Sequence, residues 1–364
     1  LHHTLNEAVY LCSSPDTYDN TCSVAPRQVQ PQHINNMKVY NNLFERTGWD
    51  AIQCSNTPIG LEVFNNVIRN YGTKNLSSQQ AGIIVGGGTN GKVYNNLIDG
   101  GTGNAIQVLG VGNEKIYNNI IINTGYDGTA NGQDAIIIDD RPNPNSYAPL
   151  QVQINNNTII SPRKAGIVLY NDYGTVGQNN VFMNNIIVAP GSGRYIYITP
   201  SISSQQTTNL LKPTVAEALF VNPATKDFHL QALSPAVNTG TNTSTYGVVT
   251  DYDGNARPTG SAYDIGAYEY TTTPPPPNKA PVADAGGDKS IILPTNTVTL
   301  TGTGTDTDGT VVGYLWARIS GPAQFSIANA NSASTAINNL VQGVYSFELT
   351  VTDDKGAVAK DTVV

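Results

Sequence analysis

A seven-residue phrase with a central pair of asparagines recurs along the chain and limits the folds open to it. The copies are KVYNNLF at 38–44, EVFNNVI at 62–68, KVYNNLI at 92–98, KIYNNII at 115–121, QINNNTI at 153–159 and VFMNNII at 181–187. The second asparagines stand at 42, 66, 96, 119, 157 and 185, so they are 24, 30, 23, 38 and 28 residues apart. Such spacings are typical of a solenoid whose coil is fixed and whose turns accept insertions. The alternating apolar residues predict strands, since a helix shows a period of about 3.6 residues.

A second apolar phrase predicts the interior of the solenoid. It reads AIQC at 51–54, GIIV at 82–85, AIQV at 105–108, AIII at 135–138 and GIVL at 166–169. Because strand side chains alternate between faces and stacked strands lie about 4.8 Å apart, equivalent residues should form inward stacks. The two predicted stacks are Ile52, Ile83, Ile106, Ile136 and Ile167, and Cys54, Val85, Val108, Ile138 and Leu169. Cys54 is therefore expected to be an apolar core residue rather than a ligand or a nucleophile.

The repeated asparagines and the first residues of the chain fit the same coil. At a tight bend, an asparagine amide can bond to the equivalent asparagine of the next coil or to turn backbone, so a structural ladder is expected. The segment AVYL at 8–11 aligns with AIQC, but no asparagine phrase precedes it. We therefore expect the chain to start inside a coil, and the natural protein to be longer at its N-terminus.

The NN-x-I and G-I-x-V patterns resemble those of right-handed parallel β-helix proteins, a group rich in pectate-lyase-like and other polysaccharide-processing enzymes. The resemblance covers about residues 1–235. Residues 236–270 resemble a segment that closes many secreted bacterial β-helix proteins. Charged residues in that segment suggest a metal or catalytic cluster, but a cap that covers the last coil is the favoured interpretation. They are Asp251, Asp253, Arg257, Asp264 and Glu269.

A proline-rich segment, TTTPPPPNKAP at 271–281, predicts a stiff and extended linker. The residues after it, 282–364, resemble a PKD (polycystic-kidney-disease) domain, which is an immunoglobulin-like β-sandwich. The resemblance rests on PVADAGGDKSIILP at 281–294, DTDGTVVGYLWARISGP at 306–322 and GVYSFELTVTDDKG at 343–356. It implies a core tryptophan at Trp316 and a role as a spacer or carbohydrate-associated appendage on a secreted protein. The whole chain is thus predicted to be all-β.

Two further patterns concern the predicted sandwich. The alternation of Tyr345, Phe347, Leu349 and Val351 predicts a strand with one buried face. A group of acidic residues can hold Ca²⁺, although acidic turns are the commoner explanation. These residues are Asp306, Asp308, Asp353 and Asp354. The final KDTVV stops partway through the expected last strand, so this end is also expected to be cut.

Composition narrows the partners and the compartment. A formal charge of −8 argues against nucleic acid, because phosphate binding needs clustered Lys and Arg. No run reaches the roughly 18 apolar residues of a membrane span. Cys12 and Cys22 flank a loop rich in Pro, Asp and Asn, which suits a local disulfide in an oxidising compartment; the alternative is two unpaired thiols. The expected location is therefore secreted or at the cell surface.

The turns of the coil supply the candidate functional residues on two walls. The second wall, which follows the G-I-x-V strands, includes residues 139–150 and 170–178. Asp139, Asp140 and Asp172 offer carboxylates for acid–base work on a glycosidic bond or for Ca²⁺ beside a uronate. Arg141 can hold a carboxylate, and Tyr147, Tyr170 and Tyr173 can contact sugar rings. The alternative is a loop base held by an Asp140–Arg141 salt bridge. These substrate-contacting and catalytic roles are hypotheses for one cleft.

The first wall precedes those strands and offers a separate set of groups. A lyase needs a base for the uronate C5 proton and a cation for the carboxylate. Lys164 or Tyr126 can supply the base and Arg163 the cation, whereas a solvated turn is the simpler explanation.

Two functions fit these observations. One is an extracellular glycan-associated β-helix protein, lyase or glycosidase activity included, with polysaccharide or cell-surface glycan as its partner. The other is a non-catalytic adhesin or structural rod with a PKD spacer. The first function is favoured because the β-helix group that the chain resembles is rich in polysaccharide-processing enzymes. The absence of a recognisable catalytic pattern favours the second. No cofactor is required by the sequence, and Ca²⁺ is the one candidate.

Overall fold

The computed structural model describes residues 8–11, 34–76, 79–110, 112–126, 133–141, 149–272 and 278–364. The chain divides into two compact units, a solenoid and a sandwich. The domain boundaries expected at residues 235, 270 and 281 stay predictions, as does the stiff linker. Cys12, Cys22 and Tyr147 lie outside the described residues.

The solenoid consists of three parallel sheets, each with seven strands. Sheet I contains β1 (Val9–Leu11), β4 (Ile52–Cys54), β7 (Ile83–Val85), β10 (Ile106–Leu109), β13 (Ile136–Asp139), β16 (Ile167–Leu169) and β19 (Ile196–Ile198). Sheet II contains β2 (Lys38–Tyr40), β5 (Leu61–Phe64), β8 (Thr89–Tyr94), β11 (Gly112–Tyr117), β14 (Gln151–Asn155), β17 (Asn180–Met183) and β20 (Ser204–Thr207). Sheet III contains β3 (Leu43–Glu45), β6 (Val67–Tyr71), β9 (Leu97–Gly101), β12 (Ile120–Ile122), β15 (Thr158–Ile160), β18 (Ile186–Val188) and β21 (Leu210–Lys212). The chain visits the sheets in the order I, II, III, which is the right-handed parallel β-helix expected from the repeats.

The predicted inward stacks are confirmed by the strand register. Ile52 pairs with Ile83, and Cys54 with Val85; the later coils continue both columns through Ile167 and Leu169. Every member of both stacks is buried. The first strand joins in the expected alignment, since Val9 pairs with Ile52. Burial raises the pKa of the Cys54 thiol to about 12, so Cys54 is a core residue without nucleophilic character.

A ladder of asparagine side chains marks the bend between sheets II and III. Each Nδ2 donates to Oδ1 of the next coil, at 3.0 Å from Asn66 to Asn96 and 2.9 Å from Asn185 to Asn209. The ladder runs through Asn66, Asn96, Asn119, Asn157, Asn185 and Asn209. The preceding residue adopts the left-handed conformation, which asparagine tolerates; Asn95 has φ 53°. The structural role predicted for these asparagines is confirmed.

A segment after the last coil packs against the outward face of sheet III, where its Phe220 and Phe228 join Ile120, Ile160 and Ile186 in one apolar cluster. It contains β22 (Phe220–Asn222), β23 (Asp227–Leu230) and three 3₁₀ helices at Val215–Ala218, Pro223–Thr225 and Ser244–Tyr246. Its buried Arg257 pairs with Glu269 at 2.7 Å and donates to Oδ1 of Asn118, at the bend between β11 and β12, at 3.2 Å. Asp264 and Asp251 accept backbone N–H groups of the same segment. These contacts give the charged residues a structural role on the side of the solenoid, and the expected cover of the last coil stays a prediction.

The C-terminal unit is an antiparallel β-sandwich. Its strands are β24 (Val282–Asp284), β25 (Val298–Thr301), β26 (Thr303–Thr305), β27 (Val311–Ser320), β28 (Ser326–Ile327), β29 (Ser334–Asn338), β30 (Ser346–Asp353) and β31 (Val358–Val363). Trp316 is buried at its centre, as the sequence predicted. The alternating residues Phe347, Leu349 and Val351 are buried on one face of β30, which confirms the predicted strand.

Replacing one asparagine of the ladder tests how much the ladder contributes to the free energy of unfolding. Asn119→Ala removes Nδ2 bonds to Val93 O and to Asn157 Oδ1 and leaves Asn96 without its acceptor. Because each buried group left unpaired costs about 1–3 kcal/mol, we expect the free energy of unfolding to fall by at least about 2 kcal/mol. Urea unfolding followed by circular dichroism measures the loss. The exposed Asn113 supplies the control, Asn113→Ala, for which we expect less than about 0.5 kcal/mol. Equal effects of the two changes would contradict the ladder's role.

A histidine in the terminal segment gives a pH-dependent contribution to stability. Nδ1 of His229 lies 2.5 Å from Asp227 Oδ1 and Nε2 lies 2.8 Å from Asp253 Oδ2, so both ring nitrogens donate only in the imidazolium form. Burial lowers the pKa of His229, but the hydrogen bonds and charges of Asp253 and Asp227 outweigh it and raise that pKa above 6.5.

A group with a raised folded-state pKa stabilises fully below its unfolded pKa, and the contribution is lost as pH rises through the folded pKa. We therefore expect the melting temperature of the wild-type chain to exceed that of His229→Gln most at about pH 6. The gap should shrink progressively above that pH. Calorimetric melts between about pH 6 and pH 9 measure it, and a constant gap would contradict the charged clamp.

Candidate functional site

The outward side of sheet I lies between the two sets of turns. Residues that alternate with the inward stacks face outward there, so Asp139 and Tyr170 follow the inward Ile138 and Leu169 directly. Turns from sheet III to sheet I form the first wall, and turns from sheet I to sheet II form the second. We call this outward surface, around strands β13, β16 and β19, the sheet I floor.

Asp139 forms an ion pair on the sheet I floor. Its Oδ2 lies 2.7 Å from Nη2 of Arg141, and 20% of the Asp139 side chain is exposed. Burial raises the pKa of Asp139; the Arg141 charge opposes that shift, while Asp140 and Asp172 reinforce it. The structure therefore brings Asp139, Arg141 and Asp172 together where strands β13 and β16 of sheet I end. The sequence predicted that these positions are neighbours.

Asp140 has different partners from those expected. Its carboxylate is fully buried and accepts the backbone N–H groups of Asp172 at 2.7 Å, Tyr173 at 3.1 Å and Thr175 at 3.0 Å. The Asp140–Arg141 salt bridge offered as the alternative is wrong, because Arg141 pairs with Asp139 and the oxygens of Asp140 accept turn N–H groups. These contacts make Asp140 the anchor of the 171–175 turn, and a catalytic role for it stays a hypothesis.

Tyr170, on the next coil of the sheet I floor, packs near Tyr197 and is influenced by the charges of Asp134 and Arg194. The Tyr170 ring lies 5.8 Å from that of Tyr197, and the Arg194 guanidinium lies 4.7 Å from the centre of the Tyr197 ring. Burial raises the pKa of Tyr170, and the charge of Asp134 adds to this shift while Arg194 opposes it. Tyr173, by contrast, is 52% exposed on the second wall.

The first wall brings two of its candidates together. Nη1 of Arg163 donates to the backbone oxygens of Gly125 at 3.3 Å and Tyr126 at 3.0 Å. Lys164 is exposed and lies close enough to Asp134 to oppose the rise that burial causes in the pKa of Asp134. Arg163 is thus held by carbonyl oxygens of the adjacent turn, and a role for Lys164 or Tyr126 as a base stays a prediction.

Three residues of the floor were missed by the sequence reasoning, namely Asp134, Arg194 and Tyr197. The segment RYIYI at 194–198 is one more sheet I rung, but it lacks the Gly-Ile or Ala-Ile start of the others. Alternation alone gives the signal, because Tyr197 falls between two apolar positions and so faces outward. Asp134 was recognised only as the end of a turn, and its Oδ1 accepts the N–H of Ala165 at 2.9 Å.

Two absences apply to the described part of the chain. None of the helices in these ranges has the length and hydropathy of a transmembrane span. Nor do the same ranges contain three or more His, Cys, Asp or Glu side chains grouped to hold a metal ion.

Comparison with family models identifies both units. Residues 26–206 match the model described as right handed beta helix region, and residues 285–364 match a model of the PKD domain. Over 89 residues the chain is 40% identical to the dyslexia-associated protein KIAA0319-like protein of Mus musculus, which is 24% of this chain and 8% of that protein. Human low-density lipoprotein receptor-related protein 11 is 35% identical over 83 residues, 23% of this chain and 17% of that protein. The chain thus spans a small part of these animal relatives, and a bacterial source stays a prediction.

Two solved structures are also similar. The solution structure of the PKD domain from KIAA 1837 protein is 37% identical and covers 22% of this chain and 79% of that chain, with a TM-score of 0.21. The crystal structure of pectate lyase Pel9A is 17% identical and covers 65% of this chain and 66% of that chain, with a TM-score of 0.40.

The contacts of Asp140 separate an anchoring role from a catalytic one. Asp140→Ala removes the acceptor for three backbone N–H groups, so we expect the free energy of unfolding to fall by about 2–3 kcal/mol. Thermal melts measure this loss. The exposed Asp172 gives the matched control, since Asp172→Ala should change stability by less than about 0.5 kcal/mol. An Asp140→Ala variant as stable as the wild type would show that the carboxylate does not hold the turn.

Proposed function

We propose that this chain, a right-handed parallel β-helix protein with a C-terminal PKD domain, is extracellular and binds polysaccharide on the sheet I floor. The observation that carries the proposal is the group of side chains at the last coils. The Asp139–Arg141 pair, Tyr170 and the Arg194–Tyr197 pair lie on or directly beside the adjacent strands β13, β16 and β19.

The chemistry of this group suits a sugar. Tyrosine rings offer apolar faces to sugar C–H groups and a hydroxyl to their oxygens. Arg141 and Arg194 supply planar donors for hydroxyl or carboxylate oxygens, and Asp139 accepts from hydroxyl groups. Neighbouring coils lie about 4.8 Å apart, so these groups form a row along the solenoid axis. Consecutive sugars of one polysaccharide chain can bind along that row.

Cleavage is the second step of the proposal and rests on Asp139. Its raised pKa is the property expected of a general acid, and Asp172 is the second carboxylate beside it. Asp140 is less suitable, because turn N–H groups already occupy its oxygens. A lyase reaction would use Lys164 or Tyr126 with Arg163 instead. Assays with and without Ca²⁺ cover a metal-assisted reaction.

The alternative is a non-catalytic rod or adhesin. It is supported by the use of Asp140 as a turn anchor rather than as a reacting group. In this case the PKD domain acts as a spacer and the floor binds glycan without turnover. A relative named as a receptor-related protein supports an extracellular location for either function, as would a Cys12–Cys22 disulfide.

Side-chain truncations on the floor test the proposal. We expect Arg141→Ala and Tyr170→Ala each to weaken polysaccharide binding by about tenfold, because each removes a group that contacts the sugar. Affinity electrophoresis against uronic and neutral polysaccharides gives the binding, and release of reducing or unsaturated ends gives turnover. The control is Lys92→Ala, which replaces an exposed residue on sheet II and should leave binding unchanged.

The outcomes separate the two functions. Binding that these variants weaken, with turnover lost in Asp139→Asn, supports an enzyme. Binding that they weaken without turnover in the wild type supports the rod. Binding that Arg141→Ala and Tyr170→Ala leave unchanged removes the sheet I floor as the site.

A further inference from the structure

An apolar pocket opens at one end of the C-terminal sandwich, and its lining comes from residues 289–364 of that unit. Its volume is about 540 Å³, within the range of roughly 300–1,000 Å³ usual for ligand sites. Strand β25 of one three-stranded sheet lines it on one side, and strands β30 and β31 of the other sheet line it on the opposite side. The pocket therefore lies between the two sheets.

The inner wall of the pocket is part of the sandwich core. Its buried residues are Leu300, Leu340, Tyr345, Phe347 and Val363. The Tyr345 hydroxyl donates to the backbone oxygen of Gln324 at 2.9 Å and accepts the N–H of Val341 at 3.1 Å. Because that hydroxyl is already bonded, this wall offers a ligand apolar surface rather than hydrogen bonds.

The mouth of the pocket exposes apolar side chains that a sandwich usually buries. Ile292 is 85% exposed, Leu293 52% and Val344 73%. Inner faces of paired sheets normally interdigitate and fill the space between them, but residues 289–295 lie outside the strands and leave this end open. The hydrophobic effect thus favours an occupant that covers this surface with hydrocarbon.

A single cation stands at the mouth of the pocket. Among the described residues that line it, Lys289 is the one with a charged side chain, and it is exposed. None of the ion pairs between described residues involves Lys289. The neighbouring Asp288 accepts the backbone N–H of Val364 at 2.9 Å. An ammonium group beside an apolar cavity suits a ligand with a hydrocarbon body and an anionic end.

We propose that this pocket binds one long-chain alkyl carboxylate, with its hydrocarbon chain between the sheets and its carboxylate at Lys289. An alkyl chain suits the inner wall better than a peptide does, because buried peptide N–H and C=O groups would find no partners there. The proposal goes beyond polysaccharide binding, since it concerns the other unit of the chain and a different class of ligand.

Chain length and charge of the ligand test the proposal. Titration calorimetry of the full chain with octanoate, decanoate, laurate and neutral decanol gives the affinities. We expect each two added methylene groups to tighten binding by about tenfold, with a negative heat-capacity change. Decanol should bind about fivefold more weakly than decanoate, because it lacks the charge that Lys289 attracts.

Two variants separate the cation from the cavity. Lys289→Gln should weaken decanoate binding by about fivefold and leave decanol binding unchanged. Val341→Trp fills the pocket, so it should weaken the binding of both ligands by at least about tenfold. The matched control is Val358→Trp, at an exposed valine outside the lining, which should change neither affinity. Thermal melts establish that each variant is folded.

Equal affinities for octanoate and laurate would overturn the proposal, as would decanoate binding that folded Val341→Trp leaves unchanged. Lys289→Gln that weakens decanol as much as decanoate would remove the role of the cation. Co-sedimentation with phosphatidylglycerol vesicles that Val341→Trp does not reduce, without binding of monomeric decanoate, would instead make the mouth a membrane contact. Tyr170→Ala, on the sheet I floor, should leave decanoate binding unchanged, so failure of polysaccharide binding and failure of this proposal are distinguishable.

Discussion

Each coil of the solenoid depends on the hydrogen bonds that join it to the coils above and below. In a parallel β-helix the backbone groups of one strand can be satisfied only by neighbouring coils, so the register cannot slip without losing all of them. The bend between sheets II and III fixes that register. There, each buried Asn side chain bonds to the next Asn and to backbone oxygens of the preceding coil. The ladder repeats this bend from coil to coil, whereas the other two turns vary in length.

The variable turns are where the structure places its polar chemistry. Equivalent positions on adjacent coils lie about 4.8 Å apart, so residues distant in sequence meet without special folding. The sheet I floor is built this way, from strands supplied by consecutive coils. Asp140 shows the cost of long turns: a buried carboxylate is needed to order the backbone of residues 171–175.

Among the described residues, the interior includes an acidic exception to the apolar pattern. Glu114 on β11 points into the core, where burial raises its pKa well above the ordinary value although its carboxylate accepts a hydrogen bond from the backbone N–H of Gly91. Burial acts in this direction because the charged form of a carboxyl group loses its hydration. The same low-polarity interior raises the pKa of Cys54, on which Glu114 also acts.

The sequence by itself determined the periodic features of this protein. Repetition identified the inward stacks, the asparagine ladder and the outward position of Asp139, and alternation identified the core of the sandwich around Trp316. These features depend on local period and on equivalent positions in successive coils, both of which can be read along the chain. The placement of Asp139, Arg141 and Asp172 on one wall followed from the same reasoning.

Only the tertiary structure decided which polar groups meet across turns. Sequence reasoning gave Arg141 the wrong partner, overlooked Tyr197 and Arg194, and had no means of pairing Lys226 with Asp99, which lies 127 residues away. Turn conformations follow from the balance of backbone hydrogen bonds and side-chain anchors, which no period describes. The physical reason is that a repeated coil imposes its geometry on strands, whereas each inserted turn must satisfy its own polar groups with whatever neighbours the completed fold supplies.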